Sequence, residues 1–154
     1  MTEYNSNAEF LFDTNSVLDA VKSIVNNAYD SRVYISGPFI KPITEVLLAM
    51  LNEKSSNLQI FMVVPSISSK DYAGASFLYY VNLLSQKIRV NSRAVHCVLA
   101  GMEEMLLISY FSRKFGEYNI SGVWVKDKTE AVKASEYCLE LWNSSFPLHF
   151  EEKI

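Results

Sequence analysis

The stretch Leu58 to Val64, LQIFMVV, constrains this chain more than any other. It is almost wholly apolar and has no polar face to turn to water. A strand covered on one side only alternates apolar and polar residues. A run like this one needs cover on both faces, as a central strand of a parallel or mixed sheet has. The segment Pro65 to Lys70, PSISSK, then reads as a loop at the end of that strand.

The flanking sequence supplies the helices such a strand requires. Ser16 is placed to cap a first helix, with Asp19 near its positive end. Val17, Leu18, Val21, Ile24, Val25 and Ala28 share one face of it, to about Tyr29. Arg32 to Ser36 is β-branched and aromatic and reads as a strand ended by Gly37-Pro38. Pro42 suits a first helical turn, followed by an inner face of Ile43, Val46, Leu47, Met50 and Leu51. A third helix is expected after Asp71, with Gly74, Phe77, Leu78, Val81 and Leu84 inward.

Lys87 to Ser109 then reads as three short strands: Ile88 to Val90, Ala94 to Leu99, and Met102 to Ile108 after a turn at Ala100-Gly101. Ser112 to Tyr118 reads as a loop and Val123 to Val125 as a strand. Asp127 and Glu130 have the spacing of a capping box. The closing helix sets Ala131, Ala134, Cys138, Leu141 and Trp142 on one face, and Pro147 stops any continuation. The expected fold is α/β, a mixed and largely parallel sheet with helices on both faces. The expected organisation is an N-terminal tether, residues 1–14, and one domain, residues 15–154. Phe10 to Phe12 within the tether suit a short strand or a dimer contact.

Several function classes find no support. At 154 residues the chain suits one domain with a real core. Its net charge of −3 and scattered basic residues argue against direct binding to DNA, which needs clustered Lys and Arg. Cys97 and Cys138 lack a CxxC partner, so neither zinc nor thioredoxin-like chemistry is expected, and no cofactor or metal is. Both read as small buried apolar residues in a reducing, cytoplasmic setting. The polar, acidic MTEYNSNAEF is unlike a signal peptide, and no apolar run approaches the length of a membrane span.

His96 is the residue to weigh for chemistry. By period two it shares a strand face with Ala94 and Val98, opposite Val95, Cys97 and Leu99. On the same rule Glu103 and Glu104 point apart and cannot share a proton, and His96 with Cys97 is no catalytic dyad. Ser36-Gly37-Pro38 lacks the lysine of a phosphate-binding loop, and Ser66, Ser68 and Ser69 lack a nucleophile elbow.

Helix, strand with a small polar turn, helix, apolar strand, then a histidine-bearing strand with a hairpin: this order resembles the phospholipase D-like domain. The resemblance implies, in active members, a His-x-Lys strand followed by an Asp, with His as nucleophile or acid and Lys holding phosphate. The matching stretch here is His96-Cys97-Val98, with Glu103 where the Asp falls. Val98 cannot neutralise phosphate charge, on which phosphoryl transfer depends. Leu99 to Ser109, then Ser121 to Leu148 with Val123-Trp124-Val125, Asp127 and Leu141-Trp142, is similar to the regulatory half of TrmB-type archaeal transcription regulators. That half is a phospholipase D-like domain without the catalytic motif. Such regulators also carry a winged helix that reads DNA, for which the residues before the first helix leave no room. A lone effector-type domain, or one cut from a longer chain, is expected.

The leading expectation is therefore a non-catalytic binding or sensor domain, a homodimer with a ligand beyond the carboxyl ends of its strands. Ser36, Gly37, Ser66, His96 and Ser109 are the candidate ligand-binding residues, and a hydroxyl-rich, sugar-like molecule or a protein is the candidate partner. The alternatives are a phosphodiesterase or nuclease built across a dimer, with His96 catalytic and Arg89, Arg93 or Lys114 replacing the lysine, and a purely protein-interaction module. For the last, Phe10 to Phe12 and the tail Phe146, Leu148, Phe150 and Ile154 are apolar for chain ends.

Overall fold

The computed structural model describes residues 7–28, 32–37, 41–54, 59–65, 87–112 and 118–147. The central element is β3 (Gln59–Val64), whose residues from Ile60 onward are all buried. On either side it pairs in parallel with β2 (Arg32–Ser36) and β4 (Lys87–Val90). The apolar run thus sits where its composition requires. Beyond β2 lie β5 (Cys97–Ala100), β6 (Met105–Ser112), β7 (Tyr118–Val125) and β1 (Ala8–Leu11). Beyond β4 lies the two-residue β8 (Phe146–Pro147). The eight strands run in the order β1-β7-β6-β5-β2-β3-β4-β8.

The sheet is mixed, and it is not largely parallel. Parallel pairing is confined to β2, β3 and β4, whereas β5, β6, β7, β1 and β8 all join antiparallel. Two hairpins build the antiparallel half. The tight turn between β5 and β6 closes with Gly101 N–H donating to the Glu104 carbonyl at 2.9 Å, a local connection that only antiparallel strands can use.

Helices cover both faces. On one, α1 (Thr14–Asn27) and α2 (Lys41–Lys54) bury Val17, Val21, Ile24, Val25, Ile43, Leu47 and Met50 against Val33, Ile60, Met62, Leu99 and Leu106. On the other, α3 (Lys128–Asn143) lays Ala134, Cys138, Leu141 and Trp142 over β5, β2 and β3. The helix faces read from the sequence are those that pack, although the Leu51 side chain and the expected third helix lie outside the described residues.

The helix starts differ in one respect. Asp13, not Ser16, caps α1: its carboxylate accepts from the Ser16 N–H at 2.8 Å and from the Ser16 hydroxyl at 3.0 Å. These bonds hold the Asp13 carboxyl below the usual carboxylate range. Asp127 caps α3 as expected, accepting from the N–H groups of Thr129 and Glu130. Glu130 itself turns to Lys133 at 3.2 Å instead of completing a box. Phe10 and its neighbours form β1 on the edge of the sheet, and β7 starts earlier than Val123 to Val125 alone suggested, reaching back to Tyr118. Among the described residues no helix is long and apolar enough to cross a membrane.

Candidate functional site

The carboxyl end of β2 organises the candidate site. Alternation turns Tyr34 and Ser36 toward α3, and Ser36 is buried to 2% exposure. A buried hydroxyl needs a partner. Ser36 donates to the His96 carbonyl at 3.1 Å and also meets the Cys138 thiol. Gly37 follows with φ of +120°, a conformation that favours glycine. Its N–H donates to the Val63 carbonyl at 3.0 Å. A Cβ on Gly37 would lie 2.8 Å from both the Cys97 Cα and the His96 carbonyl oxygen. Ser36 and Gly37 thus hold the backbone of His96–Cys97 against the end of β2.

His96 does not lie within a strand. β5 begins one residue later, at Cys97, and His96 occupies a bend with its side chain exposed. The cause is local. The Asn91 carboxamide oxygen accepts from the Arg93 N–H at 3.0 Å, the Asn91 carbonyl from the Ala94 N–H, and the Arg93 carbonyl from the Val95 N–H. This side-chain-closed turn takes up the backbone groups that a ladder would use.

Three of the five candidate residues, Ser36, Gly37 and His96, therefore meet. Ser109 stands exposed on β6, one residue beyond Ile108, the partner of Cys97, and so at the same end of the sheet. Ser66 lies outside the described residues. Ser36 and Gly37 are committed to holding the strand entrance, which leaves His96 and Ser109 as the side chains open to a ligand. Val98 is 5% exposed and packs with Ala134 and Cys138 beneath α3.

The arginines near this end are engaged elsewhere. The Arg89 guanidinium lies 4.3 Å from the centre of the Trp142 ring and donates to the Trp142 carbonyl at 2.9 Å. Asn91 donates to the Leu141 carbonyl at 3.1 Å and to the Ser144 hydroxyl at 3.2 Å. Arg93 donates to the Ser144 hydroxyl at 2.7 Å. Residues at alternate positions thus clasp the carboxyl end of α3, where carbonyls lack helical partners and the dipole favours cations. The polar alternation Arg89-x-Asn91-x-Arg93 is the one trace of this clasp in the sequence, and it reads equally as a solvated strand face. Lys114 lies outside the described residues. Among those described, no group of three His, Cys, Asp or Glu residues is placed to hold a metal ion.

The mixed sheet, covered by helices on both faces, has a phospholipase D-like fold, as its likeness to solved structures shows. Its solved neighbours include Nuc from Salmonella typhimurium, a phospholipase D family member, with a TM-score of 0.70, 12% identity, and 93% of this chain and 98% of that one covered. NucT from Helicobacter pylori aligns with a TM-score of 0.66 at 12% identity over 92% of this chain and 98% of that one. TrmBL2, an archaeal chromatin protein, aligns with a TM-score of 0.65 at 12% identity over 96% of this chain. This chain spans 57% of the length of TrmBL2. At these identities the likeness is one of fold. No protein-family model matches the sequence, and no curated protein matches it.

Proposed function

We propose that this chain is a non-catalytic binding or sensor domain of phospholipase D-like fold, working as a homodimer in the manner of an effector domain of a transcription regulator. The observation that carries the reading is Val98. In active members, to which the sequence bears a resemblance, a lysine at this position holds the phosphate. Here a buried valine lies under α3. Of the three candidates to replace the lysine, Arg89 and Arg93 are bound to the carboxyl end of α3, and Lys114 lies outside the described residues. Neither arginine therefore offers its cation to a reacting group, and the charge developed in phosphoryl transfer depends on such a counterpart. His96 and Ser109, exposed at one end of the sheet, are the side chains we assign to ligand contact, and a hydroxyl-rich molecule suits them. Cys97 and Cys138 form no disulfide, in keeping with a reducing, cytoplasmic setting.

The test is hydrolysis of a bis-aryl phosphodiester by the purified chain, beside His96→Ala. We expect both proteins to give the background rate. Turnover by the parent chain that disappears in His96→Ala would overturn the reading and establish a phosphodiesterase that draws its cation from elsewhere.

A further inference from the structure

We propose that the open edge and bare face of β1 seat a second copy of this chain. The inference rests on the dimeric reading above and assigns the surface it uses. On the side of the sheet that α3 covers, Val98, Leu107, Val123 and Phe10 stand opposite one another across β5, β6, β7 and β1. The helix shelters only the start of this row. Val98 is 5% exposed, Leu107 is 43% exposed and Phe10 is 67% exposed. Phe12, two residues further along the same face, is 82% exposed and stacks on Phe10 with ring centres 6.4 Å apart. The row contains no ionisable group, so covering it desolvates no charge. Depletion of charge is what marks the centre of an interface.

The strand itself favours a second copy over another partner. An edge strand that meets its own copy across a two-fold axis runs antiparallel to it, so a single self-complementary surface suffices. The Asn7 carbonyl accepts from the Lys126 N–H. By alternation, the N–H and C=O groups of Ala8 and Phe10 then point away from β7, along an edge that no other described strand occupies. Natural edges are usually guarded by proline, charge or brevity. β8, at the opposite edge, is two residues long and includes Pro147, which has no N–H to offer. β1 carries no such guard on this face. Its one charged residue, Glu9, points to the other side with its carboxylate 3.8 Å from Lys126. Phe10 and Phe12 together present roughly 300 Å², against the roughly 800 Å² that each partner of a stable interface buries. The edge and Leu107 extend that area.

Sedimentation equilibrium of the full chain across a concentration series tests this, with Phe10→Ser/Phe12→Ser, Phe12→Ser alone and Phe146→Ser. Circular dichroism of each variant checks the fold. We expect a dimeric parent chain, a dissociation constant raised about a hundred-fold in the double variant and about ten-fold in Phe12→Ser, and no change in Phe146→Ser. Phe12 lies outside β1, so its substitution leaves the strand intact should the double variant fail to fold. A parent chain that is monomeric throughout would sink the dimeric reading and the seat together. A dimer that persists unchanged in the folded double variant, or in Phe12→Ser should the double variant fail to fold, or that dissociates on Phe146→Ser, would overturn the seat alone.

Discussion

Cys97 and Cys138 lie on opposite faces of the sheet, Cys97 with the α1–α2 core and Cys138 beneath α3. Burial pushes each thiol up to about 11, in Cys138 against the opposing hydrogen bond from Ser36. The ordinary thiol value is 9.0, so between these values the folded chain holds protons that the unfolded chain has lost. Stability from this source is complete below pH 9 and falls as the pH rises toward 11. The urea midpoint is expected to drop over that window, and to drop less in Cys138→Ala; an equal drop in both would show that the thiol does not titrate as assigned. The apolar pattern around each cysteine predicts two small buried residues, which holds for Cys138, while Cys97 is only partly buried. The same kind of pattern placed His96 within a strand, and there it misled. The turn closed by the Asn91 side chain ends the ladder before His96, and a single carboxamide leaves no periodic trace.

The clasp on α3 shows the same limit at the scale of an element. Periodicity read the buried face of α3 in full, from Ala131 to Trp142. What fixes the far end of that helix is polar, and polar residues at alternate positions look like a solvated strand face. Asn91 is buried and serves both the Leu141 carbonyl and the Ser144 hydroxyl. Replacing it with alanine removes these donors and the turn that places His96. Asn91→Ala is expected to cost about 1–3 kcal/mol by chemical denaturation, with helix content retained in the folded state. A loss below about 0.5 kcal/mol, the range of ordinary surface changes, would mean that α3 is held by its apolar face alone.

For the molecule as a whole, the almost wholly apolar β3, its parallel neighbours and the two-faced helical cover were legible, since burial leaves its mark on composition. The balance of parallel and antiparallel pairing was not. It depends on where β5 to β7 and the edge strands β1 and β8 dock, and short strands at an edge carry little pattern. The strand order also has a kinetic consequence. β5–β6, β6–β7, β2–β3 and β3–β4 join strands that follow one another in the chain, whereas β2 must find β5 and β4 must find β8 across several intervening elements, and β1 must find β7 across most of the chain. Distant partners meet only after the entropy of closing a long loop has been overcome, and a topology rich in them folds slowly. We predict that the double hairpin from Cys97 to Val125 forms first and that β1 arrives last. Leu106→Ala, in β6, should then chiefly slow refolding, while Leu11→Ala, in β1, should chiefly hasten unfolding; the reverse pattern in stopped-flow measurements would refute this order. The surface assigned to self-association would on this account be the last part of the domain to take shape, so a chain caught early in refolding carries the central hairpins and has no finished edge to offer a second copy.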